Sequence, residues 1–188
     1  MQICVYGAAS DDIAPIYVTK TEELGAALAA RHHGLVFGGG AHGLMGAVAR
    51  GVSSVGGTII GVAPHFFHSP GILYEQCTQM LRTETMRERK EQMEQLADAF
   101  IMTPGGIGTF EEFFEILTLR QLGRHSKPIG IFNVNGYFDP LLALLEHAAA
   151  QGFLHKDCLQ LYIVSDDPAE LLDRLASSTA EAKAYKPV

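Results

Sequence analysis

The feature that most constrains this chain is a glycine-rich loop set between a short apolar run and a longer amphipathic one. Residues 99–102 (Ala-Phe-Ile-Met) predict a buried strand, and Gly105, Gly106 and Gly108 follow it. Beyond the loop, apolar residues recur at helical spacing: Phe113, Phe114, Leu117, Leu119 and Leu122. Free backbone N–H groups and the helix dipole converge where a glycine turn enters a helix. The segment therefore predicts a phosphate-binding loop.

Two glutamates, Glu111 and Glu112, lie at the start of this predicted helix, and the pattern allows two interpretations of Glu112. Thr109 and Glu112 have the T-x-x-E spacing of a capping box, in which Thr109 would cap the helix and Glu112 would bond back to it. Alternatively, Glu112 is a functional carboxylate beside the phosphate loop. Glu111 equally fits a solvated acid of the first turn.

A second glycine loop, residues 38–43, fits G-x-G-x-x-G between a predicted strand and a predicted helix. A dinucleotide site also needs an acid at the end of the next strand. That strand ends Gly-Val-Ala-Pro at residues 61–64, with no acid, and the fingerprint follows the second strand rather than the first. The loop therefore predicts tight packing of a helix on a strand rather than NAD binding. The chain also has no G-x-x-x-x-G-K-[ST] motif of a P-loop NTPase.

A charged helix is predicted over residues 85–96, where Arg87, Arg89 and Lys90 are interleaved with acids. The acids are Glu84, Glu88, Glu91 and Glu94. Taken alone, this pattern is typical of a solvated helix with ion pairs between residues three and four apart.

Strand and helix patterns alternate along the whole chain. Strands are predicted at residues 2–6, 35–37, 58–62, 79–82, around 100, at 128–132 and at 161–164. Helices are predicted at 13–31, 44–53, 85–96, after the 105–109 loop, at 140–151 and at 168–176. This order predicts an α/β fold: a single Rossmann-like, doubly wound domain with a mostly parallel sheet over residues 1–178. Residues 179–188, rich in Ala, Lys and Ser, are expected to form a flexible tail.

The composition indicates which binding partners and which cellular compartment are expected for this chain. The 188 residues suit one domain, and the net charge of −7 disfavours a nucleic-acid surface. No apolar run is long enough to cross a membrane, and the N-terminus lacks the basic region of a signal peptide. The three cysteines form no C-x-x-C pair, which favours a reducing cytoplasm. The pair at His65 and His68 has no nearby Cys or acid, so no metal site is expected.

Three segments, in order and in register, resemble one family. Residues 104–112 match the signature P-G-G-x-G-T-x-x-E, residues 86–90 resemble M-H-x-R-K, and residues 37–46 resemble Y-G-G-G-x-x-G-L-M-G. These are motifs of the LOG ("Lonely Guy") family of cytokinin riboside 5′-monophosphate phosphoribohydrolases. The resemblance extends over roughly residues 1–175.

The resemblance implies hydrolysis of the N-glycosidic bond of a purine nucleoside 5′-monophosphate (a cytokinin riboside or adenosine 5′-monophosphate), without a cofactor or metal. It implies that Arg89 and Glu112 are catalytic, and the helix dipole is expected to keep Glu112 ionised. The substrate contacts that it implies are Ser10, Gly39, Gly40, Met86, Lys90, Gly105, Gly106, Ile107, Gly108, Thr109, Phe110, Glu111 and Thr118. Family members are dimers or larger, so a homodimer with the pocket near its interface is expected, with no nucleic-acid or membrane partner.

Three departures from the family pattern bear on recognition of the base. Arg87 stands where the family usually has histidine, and residues 7–10 are Gly-Ala-Ala-Ser where it often has Cys-Gly-Ser-Ser. Gly71 stands where the family tends to have a nucleotide-contacting glutamate, and Glu75 follows four residues later.

Two alternative functions differ from this one in what they require of Glu112 and of a lysine. In a non-catalytic nucleotide- or phosphate-binding module, Glu112 would only cap its helix. Proteins of this type are often labelled lysine decarboxylases, but that chemistry needs pyridoxal phosphate on a lysine. Only Lys90 lies in a motif, and its neighbours form an ionic cluster.

Overall fold

The computed structural model describes residues 1–180, which contain seven β-strands and six α-helices. The strands are β1 (Gln2–Tyr6), β2 (Gly34–Phe37), β3 (Ile59–Pro64), β4 (Gln79–Thr83), β5 (Ala99–Met102), β6 (Ile129–Phe132) and β7 (Ile163–Ser165). The helices are α1 (Pro15–Ala30), α2 (Gly43–Ser54), α3 (Met86–Leu96), α4 (Ile107–Gln121), α5 (Asp139–Ala150) and α6 (Pro168–Ala180). Every predicted strand and helix is present. The expected tail at 179–188 lies outside the described residues, except for its first two positions, which close α6.

All the strands are parallel, in the order β4-β3-β2-β1-β5-β6-β7. Helices α1, α2 and α6 pack on one face of the sheet, and α3, α4 and α5 pack on the other. The predicted doubly wound α/β fold is therefore confirmed. The connection between β3 and β4 contains no helix, as the proline- and glycine-rich sequence there indicates.

The core lies on both faces of the sheet, because the central strands are buried throughout. Every residue of β2, β5 and β6 is buried, which is typical of a parallel sheet covered by helices on both sides. Along β1, Ile3 and Val5 pack toward α1 and α2, whereas Cys4 and Tyr6 pack toward the other helix layer. Each such apolar side chain contributes about 1.5–3 kcal/mol when it is fully buried.

The winding direction reverses between β1 and β5, and this reversal places the functional loops. From β1 the chain winds outward through β2 and β3 to β4, and α3 then carries it back across the sheet to β5, beside β1. The loops that follow β1, β2 and β5 therefore meet at the carboxyl edge of the sheet. Ligands of open α/β sheets bind at such a switch point. The two glycine loops share this edge.

Some element boundaries differ from the sequence prediction. Helix α1 begins at Pro15 rather than at residue 13, because proline is favourable in the first turn of a helix. Strand β7 begins at Ile163 rather than at residue 161, because a short 3-10 helix at Lys156–Gln160 occupies the approach to it. Within residues 1–180, no helix has the length and apolar character needed to cross a membrane.

Candidate active site

A cavity of about 490 Å³ opens at the switch point. Its walls come from the loops after β1, β2 and β3 and from the N-terminal turns of α2, α3 and α4. The lining residues are Gly7, Ala8, Ala9, Ser10, Gly38, Gly40, His42, Met45, Phe67, Ile72, Leu73, Met86, Arg89, Gly106, Gly108, Thr109 and Glu112. A cavity of about 580 Å³ at the opposite edge of the sheet, next to Gln2, Gly34 and Asp98, contains none of the predicted site residues.

Helix α4 begins earlier than the capping-box interpretation requires. Gly106 is its N-cap residue, and Ile107 is its first helical residue. Thr109 is therefore inside the first turn, where it is buried and covers Gly105: a Cβ at Gly105 would lie 2.1 Å from Thr109 Oγ1. Glu112 is the sixth residue of the helix, in its second turn. The capping-box interpretation of Thr109 and Glu112 is therefore wrong. Thr109 packs against the tight loop at Gly105 from inside the first turn, so it does not occupy the N-cap position.

The first turn of α4 presents unoccupied hydrogen-bond donors. Among the described residues, no acceptor is hydrogen-bonded to the backbone N–H groups of residues 107–109; the first N–H with one is that of Phe110, which donates to Gly106 O. Three free donors at the positive end of a helix dipole form an anion site.

Helix α2 also points its N-terminus toward the cavity, but its donors are occupied. The N–H of Gly43 donates to Asp11 Oδ1 (2.8 Å), and those of Leu44 and Met45 donate to Ala8 O (2.8 and 3.3 Å). Gly43 itself has a φ of +57°, and a Cβ there would lie 2.4 Å from Ala8 O. This glycine loop therefore serves close packing, as predicted, and α4 is the helix whose N-terminus remains open to an anion.

A buried ion pair lies at the inner end of the cavity. Arg89 Nη1 donates to Glu112 Oε1 at 2.9 Å, and the two side chains are only 7% and 13% exposed. The Arg89 side chain is also held by strand β3, because its Nε donates to Val62 O at 3.2 Å. A Cβ at Gly38 would lie 1.9 Å from Arg89 Nη2, so the first glycine of the β2 loop makes room for the guanidinium. No hydrogen-bond partner among the described residues reaches Glu112 Oε2, which is left for a ligand.

Burial, rather than the helix dipole, dominates the electrostatics of Glu112. Desolvation raises the pKa of the Glu112 carboxyl, and the charge and hydrogen bond of Arg89 oppose that rise. The dipole expectation is corrected here, because a helix dipole acts mainly within the first turn and Glu112 lies in the second. The result is a carboxylate that is more basic than an ordinary glutamate, with a cation beside it that favours its ionised form.

Helix α3, rather than α4, begins with a T-x-x-E segment that caps it, although its glutamate accepts from the residue before the N-cap. Thr85 Oγ1 accepts from the N–H of Glu88 (3.1 Å), and Glu88 Oε2 accepts from the N–H of Glu84 (2.9 Å). The helix is solvated only in part: Arg87 is exposed, whereas Arg89 is 6% exposed and points into the cavity. Lys90 lies between Glu111 and Glu115 of α4, 2.8 Å from Glu115 Oε2, and does not line the cavity.

The structure brings together some of the predicted site residues and separates others. The cavity wall includes Ser10, Gly40, Met86, Arg89, Gly106, Gly108, Thr109 and Glu112. The remaining predicted contacts lie outside that wall: Gly39, Lys90, Gly105, Ile107, Phe110, Glu111 and Thr118. Ile107 is 84% exposed, and Thr118 lies on the outer surface of α4. Gly105 borders a neighbouring cavity of about 240 Å³ and accepts a hydrogen bond from the Tyr137 hydroxyl.

Sequence reasoning missed part of the wall. His42, inside the second glycine loop, lines the cavity and pairs with Asp11, but no local pattern connects residues 31 positions apart. Phe67, Ile72 and Leu73 come from an irregular connection with no periodicity to detect. Within residues 1–180, no group of three or more His, Cys, Asp or Glu side chains is placed to hold a metal ion.

Comparison with known proteins identifies the family. A family model described as "Possible lysine decarboxylase" matches residues 45–175. The rice (Oryza sativa subsp. japonica) cytokinin riboside 5′-monophosphate phosphoribohydrolase LOG is 38% identical over 180 residues, which are 96% of this chain and 74% of that protein. This chain belongs to the LOG family. A cytokinin riboside 5′-monophosphate phosphoribohydrolase of Arabidopsis thaliana is 34% identical over 187 residues, 100% of this chain and 79% of that protein.

Solved structures of lower identity share the fold of this LOG-family chain. The molybdenum cofactor carrier protein of Chlamydomonas reinhardtii superposes with a TM-score of 0.73 at 21% identity, over 95% of this chain and 98% of the other. The molybdenum cofactor binding protein of Rippkaea orientalis gives a TM-score of 0.68 at 19% identity, over 94% of each chain. At this identity the likeness concerns the fold alone.

The names of the relatives and the family model's description point to different chemistries. The relatives are phosphoribohydrolases, and this LOG-family member is an enzyme of that class. Pyridoxal phosphate chemistry needs a lysine that reaches the cofactor. No lysine is among the residues that line the cavity, and Lys90 is held by two glutamates outside it. The site therefore fits a hydrolase and not a lysine decarboxylase.

Proposed function

We propose that this enzyme hydrolyses the N-glycosidic bond of a purine nucleoside 5′-monophosphate, either a cytokinin riboside or an adenosine 5′-monophosphate, and releases the free base and ribose 5-phosphate. The observation that carries the proposal is the buried Arg89–Glu112 pair, which faces the same cavity as the free N–H groups of α4. One part of the cavity suits an anion, and another presents a carboxylate oxygen with no protein partner.

The 5′-phosphate would bind at the first turn of α4. Residues 107–109 offer three N–H donors, and Ser10 and Thr109 add hydroxyl groups on the cavity wall. Backbone donors cost no reorganisation when an anion arrives, because the helix fixes their direction. The phosphate would thereby place the ribose toward the ion pair.

Glu112 would act at the sugar. Glycosidic cleavage passes through an oxocarbenium-like state with positive charge at C1′, which a carboxylate stabilises. The C1′–N bond breaks with its electron pair leaving on the base, and a water oxygen then bonds to C1′. Glu112 accepts a proton from that water, a task that suits a carboxyl whose pKa burial has raised. The departing base gains a proton, which balances the hydrolysis.

Arg89 would keep Glu112 ionised and hold it in place. Its Nη1 bonds Glu112 and its Nε bonds the backbone of β3, so the guanidinium is fixed at two points. As a lining residue, Arg89 would also contact the ribose or the leaving base.

The base would occupy the apolar wall of the cavity. Met45, Phe67, Ile72, Leu73 and Met86 form this wall without a charged side chain. A flat purine gains from burial against apolar and aromatic side chains. The backbone also fixes the wall, because the N–H of Ala41 donates to Ile72 O and that of Tyr74 donates to Gly39 O, both at 2.9 Å.

The enzyme would work as a homodimer that uses the outer face of α4. Ile107, Phe114 and Leu122 are 84%, 37% and 53% exposed and share one side of this helix. Exposed apolar side chains grouped beside a functional site are typical of an interface. We expect sedimentation to give a dimer, and Phe114→Glu to shift it toward monomer. An active monomer at working concentration would contradict this assignment.

We place the reaction in the cytoplasm. Cys4, Cys77 and Cys158 are all free, as expected of a protein in a reducing compartment.

The test of the function is product formation from a panel of 5′-monophosphates. AMP, isopentenyladenosine monophosphate, GMP and CMP should be incubated with purified protein, and free base and ribose 5-phosphate quantified together. Equal amounts of base and ribose 5-phosphate from a purine nucleotide are expected. Tight binding of AMP without release of adenine from any of the purine nucleotides would favour a non-catalytic nucleotide-binding module.

A further inference from the structure

His42 and Asp11 form a pair at the cavity wall that the proposed reaction does not use. His42 Nδ1 lies 2.6 Å from Asp11 Oδ2, while the other oxygen, Oδ1, accepts from the N–H of Gly43. His42 is the N-cap residue of α2, yet its side chain caps nothing. Asp11 caps the helix instead through Oδ1, and its Oδ2 holds the imidazole of His42.

This arrangement determines which ring nitrogen is available. The hydrogen bond from Gly43 and the one from His42 lower the pKa of Asp11, so its side chain is a carboxylate that can only accept hydrogen bonds. Nδ1 must therefore carry a proton and donate to Asp11. Nε2 is the free nitrogen, and it becomes a donor only when the ring is protonated.

The loop after β1 connects His42 to the anion site. The N–H of Ala8 donates to Pro104 O at 3.0 Å, just before α4, and Ala8 O accepts from the first turn of α2. This loop therefore lies between the two helix N-termini. His42 lines the same cavity as Gly106 and Gly108, from the α2 side.

Few charges face this part of the cavity. The other lining residues that ionise are Arg89 and Glu112, which neutralise each other. Around His42 itself, Asp11 is in contact and Arg50 of α2 acts on Asp11 through its charge. A phosphate dianion at α4 therefore meets one lining side chain that can still gain a positive charge, and that side chain is His42.

We propose that His42 is a specificity-determining residue that contacts the 5′-phosphate through Nε2, and that Asp11 is the positioning residue that orients it. The pair makes the enzyme select phosphorylated nucleosides over nucleosides. Because Nε2 must hold a proton to donate to a phosphate, binding of the phosphate draws a proton onto the ring. This inference rests on the proposed function, since it assigns a part of the same substrate.

The experiment measures binding and proton uptake together by titration calorimetry. Ribose 5-phosphate and adenosine are titrated at pH 8, where the phosphate is already a dianion, in two buffers of different ionisation enthalpy. The variants are His42→Gln and, as the matched control, His155→Gln. His155 also pairs with an aspartate, Asp157, at 3.5 Å, and is similarly exposed, but it lies outside the cavity.

For the wild type and His155→Gln, ribose 5-phosphate should bind with uptake of protons. His42→Gln should lose that uptake and bind ribose 5-phosphate roughly 10- to 100-fold more weakly, the scale of one hydrogen bond to a charged group. Adenosine should bind all three proteins equally. Unchanged affinity and proton uptake in His42→Gln would overturn the proposal, and so would a loss confined to adenosine.

The proposed hydrolase activity and the proposed role of His42 can be contradicted separately. A wild type that releases no base from AMP contradicts the proposed hydrolase, whatever His42 does. A wild type that hydrolyses AMP, together with a His42→Gln variant that binds ribose 5-phosphate normally, contradicts only the role of His42.

Discussion

Arg89 of α3 and Glu112 of α4 meet at 2.9 Å across the carboxyl edge of the sheet, buried on one side and open to the cavity on the other. The two helices lie in the same layer, and β5 and the phosphate loop separate them in sequence. The pair is thus built by the crossover that returns the chain to the centre of the sheet. An ion pair this buried has a desolvation cost that a purely structural contact at the surface avoids. The pair lies in the same cavity as the backbone N–H groups of residues 107–109, which have no acceptor among the described residues.

The substitution Glu112→Gln removes the charge of the side chain and keeps its shape. The amide keeps the size of the side chain but cannot carry the negative charge that stabilises C1′. We expect turnover of AMP to fall by about 10²-fold or more, the scale of losing one preorganised electrostatic group. Release of adenine and thermal melting should be measured side by side. Glu111→Gln is the control, because Glu111 is exposed and pairs with Lys90 outside the cavity. A fully active Glu112→Gln would leave the site without its base.

Arg89→Ala should damage folding and catalysis in different ways. Removing the guanidinium leaves Glu112 as an unpaired buried carboxylate, at a cost of about 3–5 kcal/mol in the free energy of unfolding. Adding Glu112→Gln removes the unpaired negative charge. The double variant Arg89→Ala/Glu112→Gln should therefore melt at a higher temperature than Arg89→Ala alone.

Turnover should respond differently from melting. The double variant should be little slower than either single variant, because residues that act as a unit are not additive. Recovery of turnover together with stability in the double variant would contradict the catalytic role of the pair. Melting curves and adenine release on the same three preparations provide the comparison.

The pKa of Glu112 predicts the acid side of the pH profile. Burial raises this pKa above the ordinary glutamate value of 4.5, and the proposed reaction needs the ionised form. The acid limb of kcat/KM for AMP should therefore lie above pH 4.5. For stability the sign is opposite: a raised carboxyl pKa stabilises the fold most below the unfolded value, and this contribution is lost as pH rises through the folded value.

The pH profile should be recorded in parallel for the wild type and for Glu112→Gln. The part of the acid limb that belongs to Glu112 should be missing from the residual activity of Glu112→Gln, whereas the titration of the AMP phosphate should remain in both profiles. A limb at or below pH 4.5 would mean that the carboxylate is not held in a desolvated site.

The fold was predictable because its signals are local. Alternating apolar strands and amphipathic helices, many of them closed by glycine or proline, specify a parallel sheet without knowledge of any contact. The unit of strand, glycine loop and helix was predictable for the same reason, since its parts are contiguous over residues 99–121. The T-x-x-E spacing of Thr109 and Glu112 predicted the wrong N-cap residue, because this spacing does not determine where a helix starts. Gly106 starts α4 three residues before Thr109, and the T-x-x-E pair that does cap a helix is Thr85 and Glu88 of α3.

The contacts across the site were not predictable from spacing. Arg89 and Glu112 are 23 residues apart and lie on different helices, so only the family resemblance joined them before the structure did. On pattern alone, Arg89 belonged to a solvated helix, and its burial depends on the space left by Gly38. The neighbouring Lys90 points away because one helical position rotates a side chain by about 100°. His42 and Asp11 depend on how the loops after β1 and β2 pack, which no periodicity encodes.

Gly108→Val tests the anion site at α4. Gly108 has a helical conformation, and a Cβ there would meet nothing within 4 Å, so the fold has room for a side chain. That room is the cavity, and the added methyl groups would stand where the free N–H groups of residues 107–109 converge. Melting should be unchanged or slightly higher, because valine is a better helix former than glycine. The KM for AMP should rise by roughly tenfold or more, as expected when contacts to an ionised group are lost. Binding of adenine should not change, since the base lies against the apolar wall. An unchanged KM in a folded Gly108→Val protein would mean that the phosphate binds elsewhere.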